Sequence, residues 1–323
     1  MPTIVSPISP AAPVFVGIDV AKAHLDAGFL HDGRTARFPY DTPGLAALVA
    51  LLLPLRPQLI VLEASGGFER KVAAELIQAG LNVSVVNPRN VRDFAKACGK
   101  LAKNDQLDAL ILARFAQQIQ PRLSPLVSAE QASLTELALR RKQLVSMRAS
   151  EANRLAAATT PKTRRSIARV VALLDREIDD LDEALAALVQ ANATWSQTHA
   201  IITSVPGVGD TTSFLLLAQL VELGRLNRQQ IAALVGLAPY DSDSGKFKGT
   251  RSIWGGRAAV RCGLYMATLA ARRFNPLIKR FAARLELKGK PFKVVMVACM
   301  RKLLTLLNSM VKNKTLWKPE PAV

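Results

Sequence analysis

The sequence is poor in cysteine, and its apolar stretches are too short to cross a membrane without interruption. Cys98, Cys262 and Cys299 are its three cysteines, and none stands in a C-x-x-C spacing, so neither a zinc ribbon nor a disulfide framework is supported. We expect all three to be small buried residues in a reducing cytosol. The longest apolar stretches contain Arg, Lys or Asp, and no basic segment followed by an apolar core opens the chain. The sequence therefore predicts neither a membrane span nor secretion.

A dinucleotide-binding fingerprint is also missing. The glycines of SVPGVGD do not have the G-x-G-x-x-G spacing, and no strand precedes them. What the chain does have is length and apolar content. Its 323 residues are 50% apolar, which is enough for two or three packed domains with sizeable cores.

The positive charge is concentrated at one end of the sequence. The formal net charge is +18, yet residues 1–120 and 121–239 each carry only two more basic than acidic residues. Residues 240–323 hold 18 Lys or Arg against 4 acids. Such an excess predicts contact with phosphate backbones. An acidic membrane surface and a solvated basic face are the alternatives.

Four carboxylates stand in settings that suggest chemistry. Asp19 in VFVGIDVAK and Glu63 in LIVLEAS lie in or at the end of probable core strands, where an acid is costly to bury. Asp105 and Asp108 in KNDQLDAL are three residues apart and share one face of a predicted helix. Two like charges there need a cation, and oxygen ligands of this kind suit Mg²⁺ or Mn²⁺ in a two-metal site for phosphodiester chemistry.

Each acid also has a structural alternative. Asp19 is explained equally by a turn at the end of a strand, and Glu63 by a charge at the N-terminus of the helix that follows Gly67. Asp105 and Asp108 suit a helix cap and first turn. The ordered appearance of all four favours a site.

Apolar patterning predicts an α/β domain at the N-terminus. Three strands in a meander are followed by strands that alternate with helices, which fits a ribonuclease-H-like layer sandwich. The predicted strands span residues 14–20, 24–30, 34–40, 59–63 and 81–86, with helices to about 53, over 68–79 and from 90 through 118.

The middle of the chain lacks strand signals. Residues 129–192 are rich in Ala, Leu, Arg and Glu and are split by TTPKTRR, which predicts an antiparallel helical hairpin. A heptad-like seam is expected at Leu173, Leu174, Ile178, Leu181, Leu185 and Leu188. The seam serves either an intramolecular hairpin or pairing with another subunit.

Two motifs mark the mainly helical last section. In SVPGVGD, Gly207 and Gly209 predict a helix-hairpin-helix turn, whose backbone N–H groups can hold a DNA phosphate. In APYDSDSGKFKGTRSIWGGRAAVR, Ser244 stands among cations and can be a nucleophile held against a phosphate. An ordinary phosphate-binding loop is the alternative. The basic candidates for nucleic-acid contact are Lys246, Lys248, Arg251, Arg257 and Arg261, and Trp254 either stacks on a base or anchors the loop.

The order GIDVAK, LEASG, KNDQLDA, SVPGVG and SDSGKFKG resembles the DEDD transposases of insertion-sequence family one-ten over nearly the whole chain. The resemblance matches Asp19, Glu63, Asp105 and Asp108 to the family's four acids and Ser244 to its serine, although Ser242 lies only two residues away. It implies a Mg²⁺ site, a phosphoserine intermediate, an element-encoded bridge RNA that pairs with target and donor DNA, and a tetramer.

The resemblance also implies a domain order. We expect a disordered leader over 1–13, a RuvC-like DEDD domain over 14–125, a helical hairpin or coiled coil over 126–195, a transposase domain with the serine nucleophile over 196–318 and a tail over 319–323. The acids and the serine would form a composite site, completed across subunits of a dimer to tetramer.

The predicted function is therefore that of a DNA transposase or site-specific recombinase, acting in the bacterial cytoplasm at the nucleoid. The main rival is a RuvC-like structure-specific endonuclease that hydrolyses DNA and does not need Ser244. An ATPase or kinase of the actin-like superfold ranks last, because GIDVAK resembles a first phosphate loop but no later Gly-rich adenosine segment follows. An architectural nucleic-acid-binding protein would leave the four acids without a purpose.

Overall fold

The structure, a computed structural model, describes residues 13–99, 105–241, 249 and 251–318, without the side chains of residues 105 and 106. The predicted tail, and the predicted leader apart from Pro13, lie outside this range. Contacts divide the chain into two units between Val127 and Ser128. Each unit is described by itself.

A five-stranded mixed sheet forms the centre of the first unit. Its strand order is β3-β2-β1-β4-β5, with β1, β2 and β3 antiparallel and β4 and β5 parallel to β1. The alternation of side chains in each strand gives the sheet two apolar faces, which helices cover. The strands are β1 (Phe15–Val20), β2 (His24–Phe29), β3 (Thr35–Pro39), β4 (Leu59–Glu63) and β5 (Val83–Val86).

Helices cover both faces of this sheet. In the part of this unit that the structure describes, the helices are α1 (Thr42–Leu55), α2 (Glu69–Gln78), α3 (Pro88–Ala97) and α4 (Asp105–Ile119). One core holds Ile18, Leu48 and Leu76, from β1, α1 and α2, and the core on the opposite face holds Val61 and Phe115, from β4 and α4. The predicted meander that passes into alternating strands and helices is confirmed.

Two glycines let α4 approach the sheet more closely than any side chain would allow. A Cβ atom on Gly17 would lie 2.1 Å from the carbonyl oxygen of Ala109, and one on Gly28 would lie 2.7 Å from the carbonyl carbon of the same residue. Gly17 and Gly28 are opposite each other in the β1–β2 pair. The distance between α4 and the sheet is therefore set by backbone atoms.

The second unit is mainly helical. Within its described residues the helices are α5 (Ala129–Ala157), α6 (Pro161–Ala191), α7 (Ala193–Thr203), α8 (Asp210–Gln219), α9 (Arg228–Val235), α10 (Ala258–Phe274), α11 (Pro276–Leu287) and α12 (Phe292–Asn313). Two short strands, β6 (Pro239–Tyr240) and β7 (Ser252–Ile253), pair antiparallel between α9 and α10. The expected mainly helical C-terminal part is confirmed.

Helices α5 and α6 form an antiparallel pair, as the sequence predicts. Arg141 of α5 forms an ion pair with Asp182 of α6. Two helical turns further along α5, Arg148 forms an ion pair with Asp175, so the two pairs fix the antiparallel register. Leu174, Ile178 and Leu185 of the expected seam are buried, and Leu181 and Leu188 pack against buried neighbours. Leu173 is an exception. It is 49% exposed, because it lies beside Leu174 on the outer side of α6.

Helix α12 runs through the core that α7–α11 also form, and Leu303, Leu304 and Leu307 are fully buried there. By length and composition it is the one described helix that could cross a membrane, but half of its apolar window is buried inside the unit. A core helix has the same composition, and this burial favours that explanation.

The cysteines correct one expectation. Cys299 on α12 is buried, and burial raises the pKa of its thiol. Cys98 and Cys262 are exposed, contrary to the prediction that all three are buried. Cys98 follows the last residue of α3, and Cys262 lies on the outer side of α10, where neither position is covered.

Candidate active site and nucleic-acid interface

A row of charged residues crosses four strands on the face of the sheet that α4 covers. The β1–β2 register places Asp19 opposite Asp26, and the β2–β3 register places Asp26 opposite Arg37. On the other side of β1, Ile18 is opposite Leu62, so the next position in each strand brings Asp19 beside Glu63. Residues opposite each other point to the same face. Arg37, Asp26, Asp19 and Glu63 therefore form one row.

The helix with the second pair of acids has its N-terminal end at this row. Phe15, at the start of β1, shares an apolar cluster with Phe115 and Ala116, whereas Gly17 contacts residues from Ala109 to Ala113. Helix α4 thus runs opposite to β1, and its first turns lie toward Asp19. Asp108 precedes Ala109 in those turns.

The donor set suits a hard divalent cation. Asp19, Glu63 and Asp108 are each partly buried, and carboxylate oxygens are ligands that Mg²⁺ and Mn²⁺ prefer. Asp105 begins α4, but its side chain lies outside the described residues. Among the side chains that are described, no three His, Cys, Asp or Glu are grouped closely enough to hold a metal. The four-acid site therefore stays a prediction.

Asp26 is a member of the row that the sequence reasoning missed. Its side chain is 2% exposed and accepts two hydrogen bonds from Arg37, at 2.8 and 2.9 Å, while Nε2 of His24 lies 3.3 Å away. The bidentate pair offsets the charge of an acid beside Asp19. The alternation of side chains along the strand HLDAGF indicates which face Asp26 occupies, but only the strand register shows that Asp26 is opposite Asp19.

The loop after Glu63 is held by a second acid that the sequence reasoning missed. Glu69 is 7% exposed, and its Oε2 accepts hydrogen bonds from the backbone N–H groups of Ser65, at 2.9 Å, and Gly67, at 2.8 Å. It lies in the first turn of α2. The helix-terminal role considered for Glu63 therefore belongs to Glu69, and Glu63 ends β4.

In the second unit, a short ribbon carries the serine segment. Pro239 and Tyr240 of β6 pair with Ile253 and Ser252 of β7, and next to them Asp241 forms an ion pair with Arg251 at 2.5 Å. The chain thus leaves and returns at one place. Between these ends the predicted residues Ser242, Ser244, Lys246 and Lys248 lie outside the described residues.

Comparisons with known proteins match both units. Residues 16–160 match a family model for DEDD transposases of the IS110 group, described as "Transposase", and residues 199–283 match "Transposase IS116/IS110/IS902 family". The chain belongs to the IS110 family of transposases. It is similar to the "Pilin gene-inverting protein" of Moraxella lacunata and of Moraxella bovis, at 27% identity in each case, over 93% of this chain and 96% of theirs.

The predicted family is thereby confirmed, and this IS110-family protein is an enzyme of DNA transposition or recombination whose substrate is DNA. Guidance by RNA, the oligomeric state and the bacterial cytoplasmic location stay predictions.

Two of the transposase's predicted nucleic-acid contacts are engaged within the protein. Arg257 donates to both carboxylate oxygens of Glu222, at 2.5 and 2.6 Å, and to the carbonyl of Gln219. Burial by itself raises the pKa of Glu222, but the hydrogen bonds and charge of Arg257 outweigh it, so the pKa lies below its ordinary value. Arg261 donates to the carbonyls of Val235 and Gly255. Both arginines hold the segment around the ribbon in place.

The glycine turn of the transposase has a packing role. Gly207 has φ +92°, and a Cβ atom there would lie 2.4 Å from the backbone nitrogen of Ala271 on α10. Gly209 caps α8 and has open space around it. Contact of this turn with a phosphate stays a prediction, as does base stacking by Trp254, which is 60% exposed.

A Ser–His–Asp arrangement also occurs in this unit. Nδ1 of His199 is 2.9 Å from the hydroxyl of Ser213, and its Nε2 is 3.5 Å from Asp210. Ser213 is fully buried, so its hydroxyl cannot reach a DNA phosphate. The three residues join α7 to α8.

Proposed function

We propose that this transposase cuts and rejoins DNA through a covalent phosphoserine intermediate at Ser244, with Mg²⁺ held by Asp19, Glu63, Asp105 and Asp108. The observation that carries the proposal is the position of Asp19 beside Glu63, at the ends of adjacent parallel strands, with the first turns of α4 above them. Carboxylate oxygens brought together in such a row are the ligands that Mg²⁺ prefers.

The first unit supports a RuvC-like assignment. Three antiparallel strands followed by two strands parallel to the first give the order that the ribonuclease-H-like expectation requires. When bound, Mg²⁺ would offset the charge that develops on the phosphate and on the leaving oxygen. The protein's part is to hold the carboxylates in place, and next to Asp19 Arg37 offsets the charge of Asp26 by a bidentate hydrogen-bonded pair.

The serine step conserves the phosphoester bond energy. The hydroxyl oxygen of Ser244 forms a bond to phosphorus while the bond from phosphorus to the 3′ oxygen breaks, and the serine proton ends on that oxygen as a 3′ hydroxyl. The 3′ hydroxyl of another strand then attacks the phosphoserine, and the serine regains its proton. One phosphodiester is exchanged for another, so no external energy source is needed.

RNA guidance and assembly belong to the same proposal. The family resemblance supports an element-encoded bridge RNA, and the 18 Lys or Arg of residues 240–323 supply the charge that a polynucleotide partner needs. We propose that the active form is a dimer to tetramer.

The test is adduct formation. The purified protein is incubated with Mg²⁺, DNA of the element's ends and the transcript of the adjacent noncoding region, and protein–DNA adducts are resolved on a denaturing gel. Ser244→Ala and Asp108→Asn should both abolish the adduct. Ser242→Ala should retain it, as should Asp93→Asn, which changes an exposed acid of α3.

The same gel separates the main rival. Free nicked DNA without an adduct, at a yield that Ser244→Ala leaves unchanged, would mean that the enzyme hydrolyses DNA as a RuvC-like endonuclease. Loss of the adduct in Ser242→Ala alone would move the nucleophile to that serine.

A further inference from the structure

A large groove lies in the second unit beside the ribbon of β6 and β7. Its volume is about 1110 Å³, above the range of about 300–1,000 Å³ that is usual for small-molecule pockets. One wall is the side of α12 that carries Val297 and Arg301, four residues apart. Another wall includes Arg251 and Ile253 at the ribbon.

The floor of the groove is apolar but open. Phe292 is 52% exposed and Val294 51% exposed, and the ring of Tyr265 on α10 is also accessible. Phe281 also lines the floor, and the buried Met296 lies beneath it. Large apolar side chains that remain exposed side by side indicate a surface that a ligand covers.

The rim of the groove is positively charged. Among the residues that the structure describes, no Asp or Glu lines the groove, and Arg251 is the one lining cation with a carboxylate partner, Asp241. Within the described part of the chain, the other lining cations form no ion pair. They are Arg228, Lys293, Arg301 and Lys302.

We propose that this groove binds a single-stranded polynucleotide, with unpaired bases on the apolar floor around Phe292 and phosphates along the basic rim. A duplex keeps its bases stacked and presents phosphates, so it would leave the floor uncovered. A single strand presents both groups, and aromatic surfaces flanked by cations are how such strands are held. Because the charged residues described on the rim are all basic, and Arg251 alone among them pairs with a described acid, the rim would repel a basic partner and attract a polyanion.

The inference rests on the proposed function in one respect. The ribbon that forms one wall of the groove also carries the serine segment, so a strand in the groove passes close to the ends of that segment. Strand exchange requires an unpaired strand at such a position. Binding itself does not depend on the chemistry, so the two proposals can fail separately.

The test measures binding without catalysis. Fluorescence anisotropy of labelled 12-nucleotide DNA and RNA single strands, and of the matching DNA duplex, is recorded with the full chain in EDTA over a series of salt concentrations. Phe292→Ala removes a floor residue, and Lys302→Gln removes a rim charge. Lys312→Gln, an exposed lysine of the same helix outside the groove, is the matched control.

We expect Phe292→Ala to weaken single-strand binding about 5- to 100-fold with little change in the salt slope. Lys302→Gln should lower that slope by about 0.7, the value for one phosphate of a single strand, and Lys312→Gln should do neither. Phe292→Leu keeps the apolar volume but not the ring, so a loss of affinity in this variant as well excludes a folding defect as the cause. Affinity for DNA against RNA identifies the strand that the groove prefers.

Three results would overturn the inference. Unchanged single-strand affinity in both groove variants would mean that something else covers the groove, such as a protein segment. Equal losses for duplex and single strand would show general phosphate binding. A loss in Lys312→Gln as large as that in Lys302→Gln would show that the groove has no special part. None of these results bears on whether the serine adduct forms.

Discussion

Replacing Gly17 by Ala should disable the enzyme through the distance between α4 and the sheet. The new methyl carbon would lie 2.1 Å from the carbonyl oxygen of Ala109, whereas ordinary contact begins near 3.4 Å, so α4 must move by about 1.3 Å. Overpacking of this kind costs about 1–3 kcal/mol of folding free energy. Because the first turns of α4 carry Asp108, the shift also displaces a predicted metal ligand.

The consequence for catalysis should exceed the consequence for stability. A misplacement of about 1 Å at a reacting centre can lower the rate by about 100-fold. Gly28→Ala requires α4 to move by a smaller distance, about 0.7 Å. The new methyl carbon would lie 2.7 Å from its nearest atom, compared with the ordinary contact distance of about 3.4 Å. We therefore expect adduct yield to fall in the order wild type, Gly28→Ala, Gly17→Ala, when it is measured on protein whose unfolding midpoint has been recorded.

Ala27→Val is the matched control. Ala27 lies on β2 but faces the core that α1 and α2 cover, so its enlargement should cost similar stability without moving α4. Full adduct yield in Gly17→Ala, or an equal loss in Ala27→Val, would refute the argument that backbone contact at Gly17 sets the position of the acids.

Two further predictions concern the helical unit. The pKa of Glu222 lies below its ordinary value of 4.5 in the folded state, so its pair with Arg257 contributes stability above about pH 4.5 and loses it as the pH falls through the lower folded value. The gap in unfolding free energy between wild type and Glu222→Gln, about 1–2 kcal/mol near neutral pH, should shrink on acidification in denaturant titrations, and a constant gap would contradict the assignment. In the hairpin, Leu185→Ala should cost about 2–5 kcal/mol by thermal unfolding, whereas Leu173→Ala, at a 49% exposed position, should cost less than about 0.5 kcal/mol, and similar losses would argue against the observed packing.

The sequence predicted the positions of the strands and helices well, because alternation of apolar residues within each segment is a local property. Strand β4 has the expected limits, and the strands of the meander differ from expectation by one residue at each end or less. The helices predicted within residues 90–118 are α3 and α4, whose outer limits differ from expectation by two residues or less.

What the sequence could not provide are relations between distant segments. Asp26 is significant only through the register that places it opposite Asp19, and Arg37 only through its pair with Asp26. The groove likewise combines Arg228 of α9 with Arg301 of α12, residues that no spacing connects. Of the nucleic-acid contacts predicted near Ser244, Arg251 lines this groove, whereas Arg257 bonds Glu222.

The α5–α6 hairpin has a mechanical consequence for the second unit. Gln131 and Thr135, near the start of α5, bond to carbonyls at the end of α8, and an apolar cluster joins this base of the hairpin to α8. Farther along, the apolar cluster of the hairpin consists of residues from α5 and α6. Its 29-residue α5 is about 43 Å long. The hairpin is therefore a long arm whose base is held at α8, and a change of about 10° in its direction at that base would displace the turn at Thr160 by about 7 Å, roughly two base-pair steps along DNA.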